Sequence, residues 1–485
     1  MQSTENPKLV LGLSLPQATA INMLDMVGIG PFVVISSVVA AMNGPQCIIA
    51  WIFGAVLALM DGSVWAELGA AMPEAGGSYV FLNRLYGPKK LGSLFSFLFI
   101  WQTIIQAPLV IASGCIGFAA YLNYFIPNYQ IVDLLIIPNS YIGFNITSNS
   151  LVSGGLVILL SIILYRKITF VGKISIFLWV IVLGTIFWII FAGFTHFNPG
   201  LAFHYPPHSL ELGPVFFAGL GMASMSTVYS YLGYYNVCHL GAEIKNPAKN
   251  IPRSIYISII GIAILYIAMQ LSILGVVPWQ KILFLKQLKQ SDYVVSIFME
   301  QVYGKTAAVW VTICILCVAV GSLFAVILGY SRIPYAAAKD GKFFSIFGKV
   351  HPTKNFPYMS QLILGAIALC FSLIFKLTDV IKAIIVMRIL VQFVGQAIGL
   401  LLLRSRNKPL EWPFKMPFYP IPVLLSIAGW MFIFLRPIFL PDSDPVQNAK
   451  DLWYIAGAVG IIALGIIMFF IRAKRKNEWP YELAQ

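Results

Sequence analysis

The sequence predicts an all-α polytopic membrane protein. Of its 485 residues 59% are hydrophobic and only 10% charged, and mean hydropathy is +0.84. A soluble domain carries about a quarter charged residues. The apolar residues also arrive in repeated stretches, most of them long enough to cross ~30 Å of hydrocarbon as a helix. Within hydrocarbon every main-chain polar group needs an internal partner, which favours helices.

Apolar runs at roughly 17–41, 45–72, 91–126, 150–165, 170–195, 214–241, 251–277, 306–335, 358–376, 380–403, 420–440 and 452–471 give twelve spanning candidates. An even number puts both termini on one side, and the basic residues decide which. With the N-terminus inside, 23 of the 32 Lys and Arg fall in tails and inside loops. Seven fall outside (Lys281, Lys286, Lys289, Lys305, Lys376, Arg436 and Lys450), and Lys382 and Arg388 lie in the tenth run. Basic residues concentrate on the cytoplasmic side, so both termini are expected there. The formal charge of +14 is then a matter of topology, and no nucleic-acid partner is implied. The polar start, residues 1–16, lacks the apolar core of a cleavable signal, so the first helix is expected to be retained.

Cys47, Cys115, Cys238, Cys314, Cys317 and Cys370 all lie in apolar stretches or at their ends, which excludes a disulfide framework. His196, His204 and His208 cluster between the fifth and sixth runs, but their spacing across two prolines fits a solvated loop and no rigid metal site. No metal and no cofactor is expected.

Two runs are interrupted at mid-membrane. Gly28-Ile29-Gly30-Pro31 removes side-chain restraint and then a hydrogen-bond donor, so the first helix should break there. In the sixth run, Tyr229-Ser230-Tyr231-Leu232-Gly233-Tyr234-Tyr235-Asn236 combines a central glycine with polar groups. Broken helix survives at that depth only where it lines a polar cavity or is covered by protein. Two such breaks, each opening a block of five spans, point to an inverted-repeat transporter with its site at the midplane.

The chain resembles the amino acid–polyamine–organocation superfamily of secondary transporters. The resemblance rests on Gly28 to Phe32, on Ala66-Glu67-Leu68-Gly69 through Pro73 to Tyr79, on the sixth-run segment with Glu243 to Pro247, and on Ser331-Arg332 with Ala338 to Gly341. It implies the leucine-transporter-type fold: a tail at 1–16, a five-helix repeat at 17–198, an inverted repeat at 210–405, two additional helices at 417–471 and a tail at 472–485. It also implies transport of amino acids by alternating access, at the cytoplasmic (plasma) membrane.

A free amino acid carries a carboxylate and an ammonium. Half-helix ends at the breaks offer N–H groups to the first and carbonyls to the second. Ile29, Gly30 and their neighbours Gly28 and Pro31 are the candidate carboxylate grip, with one donor missing at Pro31, which has no N–H. On the resemblance, Tyr229 is the aromatic gate, and Ser230 and Gly233 line the same break; plain packing is the alternative for Tyr229 and Ser230. Glu67 and the Pro73–Tyr79 motif read as structural or gate-forming. By depth Glu67 should lie near the inner face and need no buried partner. Gly341 suits a helix C-cap.

Asp25, Arg388, His239 and Ser322 are candidate coupling or gating residues. Arg388 lies close to the midplane, where an arginine costs about 2.5–3.5 kcal/mol to insert, so it needs an acidic or carbonyl partner. Asp25 sits at similar depth, which raises an Arg388–Asp25 charge pair against the blander case of helix-end carbonyls. His239 either relays protons or bonds a carbonyl. Ser322 offers one hydroxyl to a sodium site. Some members of the superfamily couple to protons through a lysine part-way along the fifth helix; positions 174–195 here hold no ionisable residue, and Lys173 sits at that helix's start. Uniport, symport and exchange stay open.

Neutral amino acids are slightly favoured as substrates, because the second break carries no acid. The alternative is a polyamine or cationic amino acid carrier using Asp25. A membrane-embedded enzyme would need clustered acids or histidines at one depth, and the runs do not supply them. Besides the bilayer and a small-molecule substrate, no disulfide-linked heavy chain is expected, since segment 127–149 has no cysteine.

Overall fold

The computed structural model describes residues 13–74, 76–125, 133–137, 144–165, 168–287, 291–351, 356–405, 412–441 and 444–475. Ala75 of the Pro73–Tyr79 motif, most of both tails and the side chain of Lys173 lie outside the described residues.

Helices occur in the order α1 (Leu15–Met26), α2 (Gly30–Val33), α3 (Ile35–Met42), α4 (Cys47–Ala71), α5 (Ser78–Tyr86) and α6 (Gly92–Leu122). After a short antiparallel strand pair, Asp133–Ile137 with Phe144–Thr147, come α7 (Ser148–Ile163), α8 (Ile168–Thr195), α9 (Pro199–Ala202), α10 (Pro214–Tyr231), α11 (Asn236–His239) and α12 (Pro247–Leu274). They are followed by α13 (Trp279–Gln287), α14 (Val294–Tyr303), α15 (Lys305–Lys339), α16 (Tyr358–Ile374), α17 (Leu377–Arg388), α18 (Gly395–Ser405), α19 (Ile421–Phe439) and α20 (Pro445–Arg475). A π-helical turn, Ile389–Val394, joins α17 to α18.

Among the described residues seven helices are long and apolar enough to cross a membrane, or eight with the bent pair at the start counted as one span. Shorter apolar helices stand beside them, among them α7, α14 and α16. This is a multi-pass membrane protein. α4 packs on α12 and α10, and α6 packs on α15, α16 and α17. The interrupted segments therefore sit inside a jacket of continuous helices.

Three places depart from the sequence reading. Residues 78–86, read as loop because of their flanking charges, form α5 and continue through a π turn at Gly87–Leu91 into α6. Arg436, assigned to an outside loop, lies inside α19, 2% exposed, with Nη1 3.0 Å from Asp451. Glu67 has 0% exposure and does have buried partners: Arg404 at 2.6 Å and the Met416 N–H at 2.8 Å. Counting depth along α4 cannot register that the chain after α18 folds back over its end.

Candidate functional site

α1 begins with the Ser14–Gln17 capping box, and the Leu13 N–H is bonded to the Glu243 carbonyl. The start of the first broken helix is thereby tied to the chain just beyond the second. α1 ends at Met26, and regular bonding resumes at Gly30. The N–H groups of Gly28 and Ile29 donate to nothing among the described residues, whereas the Ile29 carbonyl accepts from Phe32 and Val33. A second lapse at Val34 lets Leu15–Val33 and Ile35–Met42 meet at 60°. The break that glycine and proline predict at 28–31 is present.

The second break follows Tyr231. Leu232 to Tyr235 turn out of the helix, and α11 resumes at Asn236. Gly233 has φ +119°, and a Cβ there would lie 2.8 Å from the main chain of Asp25 and Met26. Only glycine lets the two interrupted backbones approach this closely. Gly30 meets the other side of the same junction: a Cβ on it would lie 2.8 Å from the Tyr229 ring. Tyr229 thus lies against the first break, with its hydroxyl 2.8 Å from Ser113 on α6. Ser230 donates to the Ser226 carbonyl, and Pro31 is buried in the single turn of α2.

Between the breaks lies a cavity of about 60 Å³. Gly28, Ile29, Gly30, Tyr229, Ser230 and Gly233 line it, and so do Asp25, Ser322 and Arg388. The structure therefore gathers these sequence candidates in one place. Pro31 stands just behind that lining, and His239 lies apart. His239 is held under Gly77 and beside Trp65 in a smaller adjoining pocket, with Nδ1 unbonded among the described residues. Ser322 lies against Gly28 and donates to the Ala319 carbonyl.

Of the two alternatives for Arg388, neither the ion pair with Asp25 nor helix-end carbonyls is found among the described residues. Arg388, 1% exposed, donates to the hydroxyls of Tyr235 and Tyr330, the second at 2.5 Å, and its Nε has no partner among the described residues. Two phenol oxygens close on the guanidinium take the place that depth counting gave to the carboxylate. Asp25 faces the same cavity without touching the arginine.

Three supporting residues escaped the sequence reading. Tyr330 on α15 reaches the cavity two turns beyond Ser322, from a largely apolar stretch of that helix. Asn22, 0% exposed, accepts from the Val237 N–H at 2.9 Å, capping α11 from α1. Tyr266 on α12 is within reach of both broken chains: its hydroxyl is 2.9 Å from the Met26 carbonyl and 3.3 Å from that of Ser230. No periodicity marks single polar groups on apolar helices. A lone Asn or Tyr at membrane depth, which must find a partner, is the available signal.

Among the described residues no three His, Cys, Asp or Glu gather to hold a metal. Comparison with known proteins agrees with the geometry. The profile of the amino acid permease family matches residues 13–476. The chain belongs to that family, within the amino acid–polyamine–organocation superfamily. It is 22% identical to a methylthioribose transporter of Bacillus subtilis over 98% of this chain and 96% of that protein. It is 27% identical to the branched-chain amino acid permease BcaP of Lactococcus lactis, covering 83% and 84%. To the serine/threonine exchanger SteT of Bacillus subtilis it is 25% identical, covering 89% and 92%.

Proposed function

We propose that this permease is a secondary transporter that moves amino acids across the plasma membrane by alternating access, with the substrate held between the two broken helices. The observation that carries the reading is the cavity at the junction of the breaks, lined by Gly28, Ile29, Tyr229 and Gly233, with no acceptor among the described residues for the N–H groups of Gly28 and Ile29. Main chain grips the groups common to all amino acids: N–H groups take the carboxylate, carbonyls and Asp25 take the ammonium. Tyr229 covers the substrate from the side of α6. Twelve spans in two inverted five-helix repeats with α19 and α20 added, and both termini cytoplasmic, complete the proposed architecture. The relatives named above are transporters, which supports this reading over an enzyme.

Uptake of labelled amino acids and polyamines into proteoliposomes, with and without proton, sodium or opposing-substrate gradients, tests the function. Gly30→Val should abolish uptake while the protein still inserts, because its methyls would occupy the position of the Tyr229 ring. Near wild-type substrate affinity in that variant would remove the site from the breaks. Impermeant labelling of single cysteines at 140 and 405 tests orientation; reaction from outside at 405 alone reverses it. A polyamine or cationic amino acid carrier is the second reading, favoured by the Asp25 carboxylate in the cavity.

A further inference from the structure

The cavity has two unlike walls. One is main chain and Asp25, contributed by the breaks. The other comes from α15, α17 and the turn after Gly233, where Arg388, Tyr330 and Tyr235 stand beside Ser322 and the apolar Leu323, Val326 and Ile384. A guanidinium has donors and no acceptor. Each phenol oxygen accepts from Arg388 and the two hydroxyls also bond each other, so one O–H and the unbonded Nε of Arg388 are the donors left over among the described residues. This second wall is therefore a donor surface with a positive charge behind it and, among the described residues, no carboxylate in contact. It stands where a π-helical turn opens immediately after Arg388, a distortion that recurs at functional sites.

Resting on the reading of this cavity as an amino acid site, we infer that the Arg388–Tyr330–Tyr235 wall selects substrates with a short side chain ending in a hydrogen-bond acceptor: hydroxyl, carboxamide or carboxylate. The breaks take the groups that all amino acids share, so the donor wall faces the side chain. An apolar side chain would leave those donors desolvated and unpaired, and sites built to bond a polar group reject analogues lacking it more strongly than they reject a change of size. A cationic side chain would meet Arg388 head-on. The narrowness of the cavity, about 60 Å³, favours a short chain.

The test is uptake by the full chain in proteoliposomes of labelled isosteric pairs: serine with 2-aminobutyrate, threonine with valine, asparagine with leucine, and lysine alongside. The polar member of each pair should be preferred about tenfold or more, with lysine excluded. In Tyr330→Phe and in Arg388→Lys, which keeps a cation where an apolar variant could fail to fold, the preference should narrow to about threefold or less. Thermal unfolding confirms that each variant is folded. Equal uptake within the wild-type pairs, uptake of lysine, or an undiminished preference in both variants overturns the inference while leaving transport intact. If no amino acid in the panel is taken up by folded protein, the transport reading fails and this inference fails with it.

Discussion

Among the described residues two arginines, Arg388 and Arg436, are buried inside helices of this permease, and their surroundings differ. Arg436 on α19 meets Asp451 at 3.0 Å, and Lys382 from α17 meets the other oxygen of the same carboxylate at 2.5 Å. Arg388 touches two phenols and no carboxylate among the described residues. The first arrangement is what a charge needs when its task is to join helices: an anion in direct contact, even though Lys382 and Asp451 also border a wider cavity. The second leaves a charge beside a cavity with its opposite, Asp25, across the space and not against it. Burial of a charge is thus no mark of a site. A buried charge without a touching counter-charge, next to a cavity, is.

The contrast is sharpest in stability. Asp451→Asn leaves two cations without an anion, and breaking a buried pair costs about 3–5 kcal/mol. Its thermal unfolding midpoint in detergent should fall well below that of Asp25→Asn; equal losses would erase the distinction. Next in size is the coupling within each pair. A double-mutant cycle on Lys382 and Asp451 should give about 2–3 kcal/mol, and one on Arg388 and Asp25 about 1 kcal/mol or less, since only the first pair is in contact. Stronger coupling between Arg388 and Asp25 than between Lys382 and Asp451 would restore the charge pair that their depths suggest. Arg388→Gln should destabilise by about 1–2 kcal/mol: it loses two charge-assisted bonds worth about 1.5–3 kcal/mol each but escapes an insertion cost of about 2.5–3.5 kcal/mol. Transport should nevertheless fall at least about tenfold. The smallest effect is Ser113→Ala, which removes one hydrogen bond to Tyr229, worth about 1 kcal/mol. It should weaken apparent substrate affinity about fivefold in an uptake assay.

Much of this site is legible in the sequence. Glycines and a proline inside apolar runs forecast both breaks, because their backbone consequences are local. That Gly28, Gly30 and Gly233 would line one cavity also follows, since interrupted backbone at membrane depth has to converge on something polar. Illegible are the partners. Arg388 reads as a residue in need of an acidic or carbonyl partner, yet the hydroxyls of Tyr235 and Tyr330 supply the oxygen, and nothing in a tyrosine's spacing announces that it will turn towards an arginine on another helix. Glu67 misleads for a related reason: its environment is made by Arg404 and Met416, more than 300 residues away in the chain. Local chemistry is written in the sequence near the residue; the long-range lid over it is not.

The hydroxyl of Tyr266 carries a single proton and has two carbonyls in range, Met26 at 2.9 Å and Ser230 at 3.3 Å. α12 is continuous, so that hydroxyl acts as a fixed post against which both interrupted chains are measured. When either chain slides by a few tenths of an ångström, the proton can pass from one oxygen to the other. The movement then trades one hydrogen bond for another, at about 1 kcal/mol or less, where two independent anchors would each have to be broken.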